Sequence, residues 1–123
     1  MTRDEILSME AGREMDALIA EKVMGWILHP HKTHWMIYEG DQTKTMRPKY
    51  RNYGDFFPST NIAAAWEVAL WLREYWGQFD LLAGLEWHCW HDLEHTKPED
   101  KWGMGDTAPL AICRAALLTT LDE

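Results

Sequence analysis

The residues of this chain that could do chemistry fall into a few groups. The first is Lys44, Arg47, Lys49 and Arg51, interleaved with Tyr50 and Tyr53. A guanidinium fits phosphate oxygens through two parallel N–H···O bonds, and aromatic faces stack on bases or sugars. Together they point to a pocket for a small anionic, nucleotide-like ligand. The plainer alternative is a solvated loop whose cations offset Asp41 and Asp55. Trp87 and Trp90 are three residues apart, so a regular strand cannot bury both against one layer. Trp90 therefore joins the candidate ligand-stacking residues, and Arg114, a cation inside an apolar helix, is a candidate for the base of the same pocket. The plainer reading of Arg114 is a side chain that runs along the helix edge to a carboxylate or snorkels to water.

The second group is rich in histidine: His29, His31 and His34, then His88, Cys89, His91 and His95. Zinc requires three or four ligands converging tetrahedrally. On a regular strand His88 and His91 point to opposite faces, and neither H-E-x-x-H nor a paired C-x-x-C motif is present. Ordinary surface or partly buried histidines are expected, with a metal-dependent hydrolase built on residues 88–95 as the alternative. The third group is Asp92, Glu94, Glu99 and Asp100, which could serve His91 as acid–base partners. No G-x-S-x-G elbow, phosphate-binding loop or dinucleotide fingerprint accompanies them. Binding without turnover is the expectation, and no motif requires a cofactor.

Composition narrows the classes. The 123 residues carry Lys+Arg 12 against Asp+Glu 20, a net charge of −8, which excludes general nucleic-acid binding. The length suits one domain over residues 1–123. Cys89 and Cys113 are too few for the disulfide framework of a small secreted domain and are expected as buried thiols. The N-terminus lacks an apolar signal core, and the apolar stretch around Ala108–Leu118 is interrupted by Arg114 and too short to span a bilayer. A soluble protein of the cytoplasm is expected. Eight tryptophans are the compositional outlier. Trp26, Trp66 and Trp76 fit helical core stripes, while Trp35, Trp87, Trp90 and Trp102 fall on strands or loops. That surplus, together with the enrichment of tryptophan at interfaces, suggests a homo-oligomer.

The elements that must position these residues follow from periodicity. Gly12–Trp26 reads as a helix with Met15, Leu18, Ile19 and Trp26 on one face, ending at Gly25. Thr33–Tyr38 reads as a strand. Gly40–Pro58 is an irregular connection of about nineteen residues, longer than usual, that could hold a short strand around Lys49–Phe56. Ser59 or Thr60 should cap a helix running Ile62–Trp76, whose wide apolar face implies contact on more than one side. Strands are expected at Gln78–Ala83 and Leu85–Leu93, with a brief one at Lys101–Met104. Asp106 or Thr107 should cap a last helix from Leu110 to about Leu121, with Pro109 in its first turn. This order defines an α+β fold: a three-layer α/β/α sandwich with a small, mostly antiparallel sheet flanked by helices.

Three stretches carry a family resemblance. They are Ala20-Glu21-Lys22-Val23-Met24-Gly25-Trp26, then Pro58-Ser59-Thr60-Asn61-Ile62-Ala63-Ala64-Ala65-Trp66-Glu67-Val68, then Asp106-Thr107-Ala108-Pro109-Leu110-Ala111-Ile112-Cys113-Arg114-Ala115-Ala116-Leu117-Leu118. In this order they resemble the phage ABA-sandwich domain proteins of tailed phages and prophages. The resemblance implies an α/β/α layered fold and a phage or prophage origin, but no reaction. Where relatives often carry an acidic residue this chain has Asn61, so no charge-based role transfers to that position. Leu28–Phe57 and Leu85–Met104 match no shared pattern, which places individual function there. The resulting expectation is a phage accessory protein of the host cytoplasm that sequesters a small nucleotide-like molecule, such as a defence signal, or a host protein. A pure interaction module without a pocket is the other non-enzymatic reading.

Overall fold

The computed structural model describes residues 2–31, 34–37, 49–76, 79–83, 87–91 and 103–121, with side chains for all of these except 74–76, 79–80, 82–83 and 87–91. Thr2 opens a short helix, α1 (Arg3–Ser8), by accepting from the Glu5 amide at 3.2 Å. Six residues with a single buried position, Ile6, are too few to show a helical period, so this helix escapes a reading by pattern. The expected first helix is present as α2 (Arg13–Leu18), which continues into a wider π-helical turn over Ile19–Val23. Within that turn the Met24 amide donates to the Ile19 carbonyl at 3.0 Å, and the Trp26 amide reaches the Ala20 carbonyl at 2.9 Å. Gly25 ends it at φ 72°, a left-handed conformation that side-chain-bearing residues avoid.

The strands sort into two antiparallel sheets of three. The first contains β1 (Ile27–Leu28), β2 (His34–Ile37) and β3 (Lys49–Asn52), paired in that order. Its register sets Leu28 opposite Trp35, Trp35 opposite Arg51 and Met36 opposite Tyr50. After β3 the chain makes a 3₁₀ turn over Tyr53–Asp55. The second sheet contains β4 (Phe79–Ala83), β5 (Trp87–His91) and β6 (Gly103–Gly105). The α+β class and the antiparallel pairing agree with the sequence reading. In the chain, α3 (Ile62–Trp76) lies between the two sheets, after β3 and before β4.

α3 has the expected span, but its cap is Asn61, whose side-chain oxygen accepts from the Ala64 amide at 2.9 Å. Neither Ser59 nor Thr60 fills that role. An acidic residue at position 61 could cap in the same way, so the departure at Asn61 leaves the local structure intact. The core-facing side of α3 is Ala64, Ala65, Val68, Ala69 and Leu72. Trp66 is 46% exposed and forms an outer stripe with Ile62 and Leu70, contrary to its expected place in the core. A bulky indole cannot fit where small alanines bring α3 close to its neighbour.

That neighbour is α4 (Ala108–Leu118), capped by Thr107, whose hydroxyl accepts from the Leu110 amide at 3.3 Å. α4 packs against β5 and β6, against α3, against Ile19–Val23 and against α1, so nearly every position along it is buried, including Cys113. β6 approaches so closely that a β-carbon on Gly103 would lie 2.3 Å from the Ala111 carbonyl oxygen. No helix among the described residues is long and apolar enough to cross a membrane.

Candidate functional site

Of the basic stretch, the structure describes Lys49, Tyr50, Arg51 and Tyr53, and it does not bring Tyr50 and Arg51 to one face. Lys44 and Arg47 lie outside the described residues. On β3, successive side chains point to opposite faces of the sheet. Tyr50 lies on the outer face, 64% exposed, with its ring edge-on to His34 at 4.8 Å. Arg51 lies on the inner face opposite Trp35, and Lys49 is opposite Ile37 on that same face. The Arg51 guanidinium forks onto Glu67 of α3, with Nη2 donating to Oε1 at 3.1 Å and Nη1 to Oε2. It also covers the rings of Phe56 and Trp26, at 4.9 and 5.7 Å to their centroids. Arg51 thus staples the first sheet to α3.

Arg114 is likewise engaged in structure. Its terminal nitrogens donate to the main-chain carbonyl of Met104 in β6 and to that of Met9 after α1, the latter at 2.9 Å. Trp90 occurs on β5 opposite Asp80, and its side chain lies outside the described residues.

Among the described residues of the predicted set, Tyr53 lines a cleft. The 3₁₀ turn after β3 lays its ring on Trp35, with centroids 5.5 Å apart and planes 29° apart. Trp35 is 1% exposed and therefore fixed. Beside this pair opens a cleft of about 280 Å³, lined by Arg13, Asp16, Trp35, Tyr53, Phe57 and Thr60 among others. Four segments build it: α2 with the glycine before it, Trp35 of β2, the Tyr53–Asp55 turn, and the Phe56–Thr60 stretch leading into α3. The volume lies just below the range of roughly 300–1,000 Å³ typical of small-molecule sites.

The charged groups of the cleft come from α2. Arg13 and Asp16 stand three residues apart, which on a helix places them on one face. The Arg13 guanidinium lies over the Tyr53 ring, 5.9 Å from its centroid, and has no carboxylate partner among the described residues. Asp16 is 8% exposed, and its Oδ1 accepts from the Ser59 amide at 2.8 Å. Burial raises the Asp16 carboxyl above the usual aspartate value, and the hydrogen bonds from Ser59 act against that shift. The Ser59 hydroxyl in turn accepts from the Gly12 amide at 2.9 Å, which locks the turn before α3 onto the start of α2. Phe57, 41% exposed, offers an open ring at the rim.

Arg13, Asp16 and Phe57 were not singled out from the sequence. A carboxylate near a helix start, such as Asp16, is explained by the positive end of the helix dipole alone. The available signal was the three-residue spacing of Arg13 and Asp16 on one face, paired with an aromatic doublet, Phe56-Phe57, ahead of a proline turn.

Among the described residues no three His, Cys, Asp or Glu side chains are grouped to hold a metal ion, and the side chains of His88, Cys89 and His91 lie outside that set. The rings of His29, His31 and His34 stack, with His29 centroids 5.1 Å from His31 and 4.3 Å from His34. His29 Nδ1 is occupied by the His31 amide at 3.2 Å. His88, Cys89 and His91 fall on β5, while His95 and the carboxylates Asp92, Glu94, Glu99 and Asp100 lie outside the described residues.

With fold and cleft established, comparison with known proteins identifies the class: the phage ABA sandwich domain model matches residues 17–117. The chain belongs to that family. The matched span contains both sheets, α3, all of α4 but its last residue and only the last two residues of α2, so it begins just after Arg13 and Asp16. No curated protein and no solved structure matches the chain.

Proposed function

We propose that this phage ABA sandwich domain protein works as a single domain that binds a small anionic, nucleotide-like ligand without transforming it. The observation that carries this reading is the Arg13 guanidinium, without an ion-pair partner among the described residues, lying over Tyr53 beside an open cleft. Guanidinium and aromatic rings together are suited to a phosphate attached to a flat base. The cations of the preceding stretch, Lys44, Arg47 and Lys49, belong to the proposal as flanking charges. In a phage protein acting in the host cytoplasm, such binding would withdraw a signalling nucleotide.

The test is a thermal-shift screen with nucleoside monophosphates and cyclic dinucleotides. A ligand that binds the native form alone raises the melting temperature, by an amount set by its concentration relative to Kd. Binding should be lost in Tyr53→Ala and weakened in Arg13→Ala, and the ligand should be recovered intact after the complex is denatured. Recovery of a cleaved product would favour the hydrolase reading on residues 88–95. Absence of any shift would remove the ligand reading and leave a host-protein partner.

A second reading, self-association, is supported by the outer stripe of Ile62, Trp66 and Leu70 on α3. Light scattering on the wild type and on Leu70→Glu tests it. A dimer that dissociates in the variant supports the reading, and a wild-type monomer at all concentrations removes it.

A further inference from the structure

We infer that the cleft reads the base of its ligand and that the base is guanine, selected by Asp16; this rests on the nucleotide-binding reading above. Asp16 lines the cleft yet is 8% exposed, an unusual position for a carboxylate. Its protein hydrogen bonds come from Ser59. An ionised carboxylate has about four lone-pair sites, so acceptor capacity remains on the group. A carboxylate at the wall of a small aromatic cleft demands donors from whatever enters.

Among the common bases, guanine alone presents two adjacent donors on one edge, N1–H and the N2 amino group, spaced to meet the two oxygens of a carboxylate. Adenine and cytosine pair one amino donor with a ring-nitrogen acceptor, which would face a carboxylate oxygen lone pair to lone pair. Uracil flanks its one N–H with carbonyls, and a carboxylate repels both. A buried acceptor left facing an acceptor is costly, so the discrimination is large.

The remaining cleft groups fit the rest of such a ligand. Phe57 supplies an open ring for the purine, and Arg13, one helical turn from Asp16, supplies the cation for a phosphate. The charges of Arg13 and Asp16 offset one another within a chain of net charge −8. A single phosphate is tolerated there far better than a polyphosphate. The cleft volume of about 280 Å³ also suits one nucleoside unit.

The experiment is calorimetric titration of the full chain with GMP, IMP, AMP and UMP. IMP keeps N1–H and lacks the N2 amino group, so it isolates the second donor. GMP should bind about tenfold or more tighter than AMP and UMP, with IMP in between. Asp16→Asn keeps an oxygen for the Ser59 amide but cannot accept two donors, and it should bring GMP to within about threefold of AMP. The GMP-to-IMP ratio on the wild type decides the matter even where the variant fails to fold. Equal binding of all four nucleotides would overturn the guanine assignment and leave nucleotide binding standing. Binding of none would remove both.

Discussion

The Ser59 amide donates to Asp16 Oδ1 at 2.8 Å across 43 residues of sequence, and the Ser59 hydroxyl holds the Gly12 amide at 2.9 Å. One serine thus fixes the start of α2 against the turn that leads into α3, and so shapes two walls of the cleft. Because Asp16 is buried, this contact has a pH dependence of definite sign. Its folded carboxyl sits above the usual aspartate value, chiefly through burial. The folded state therefore binds more protons than the unfolded state between the unfolded value of 3.8 and the folded one. Asp16's contribution is most favourable below 3.8 and is lost as pH rises through the folded value. Urea unfolding of the wild type and Asp16→Asn, which does not titrate, reads this directly. Raising the pH from 3 to 7 should shift the balance toward the variant, and a shift toward the wild type would reverse the assigned sign.

The contact between β6 and α4 predicts a sharp contrast between two glycines. A β-carbon at Gly103 would sit 2.3 Å from the Ala111 carbonyl oxygen and 2.8 Å from the Ala115 Cα, both main-chain atoms that cannot swing aside. Gly103→Ala should cost about 1–3 kcal/mol or more as strand and helix are forced apart. Gly54 has open space around a β-carbon, so Gly54→Ala should stay within about 0.5 kcal/mol of the wild type. Equilibrium urea unfolding of both variants checks the pair.

How much of this could be read in advance depends on how far each determinant reaches along the chain. Gly25, Thr107 and the span of α3 rest on neighbouring residues, and the sequence reading places them correctly. Choosing Asn61 over Ser59 as the cap of α3 was out of reach, because Ser59 is diverted by Asp16, which is remote in sequence. Tyr50 and Arg51 are adjacent in a basic stretch, yet strand alternation sends them to opposite faces, a separation invisible until the stretch is known to be a strand. Trp66 read as core because hydrophobicity alone does not tell which side of α3 meets the small side chains of α4. The cleft was partly legible through Tyr53; Asp16 was hidden because a carboxylate near a helix start has an ordinary explanation.

Arg51 does two jobs, and mutation should separate them. Its ion pair with Glu67 is part-exposed, which limits the coupling to about 0.2–1 kcal/mol and makes it salt-sensitive. Its stacking over Phe56 and Trp26 adds cation–π contacts of about 0.5–1 kcal/mol each. Arg51→Ala should therefore destabilise more than Glu67→Ala, by about 1 kcal/mol. A double-mutant cycle in low and high salt measures both parts. Equal losses for the two single variants would show that the ring contacts contribute nothing.

The stacked histidines at the turn between β1 and β2 give the last prediction. His29 is held below its ordinary value of 6.5, first by desolvation and then by the charges of His34 and His31. The groups that face it are those two rings, with Tyr50 packed edge-on behind His34. A base with a depressed folded value binds fewer protons folded than unfolded, so its contribution is intact above 6.5 and lost as pH falls through 6.5. The urea midpoint should accordingly fall between pH 7.5 and 5.5, and His29→Gln should flatten part of that fall. A proton NMR titration identifies the group directly. The His29 ring should titrate below 6.5 in the wild type and move upward in His34→Gln, where one of the two opposing charges is gone. If the His29 midpoint stays fixed in that variant, the coupling between the stacked rings is absent.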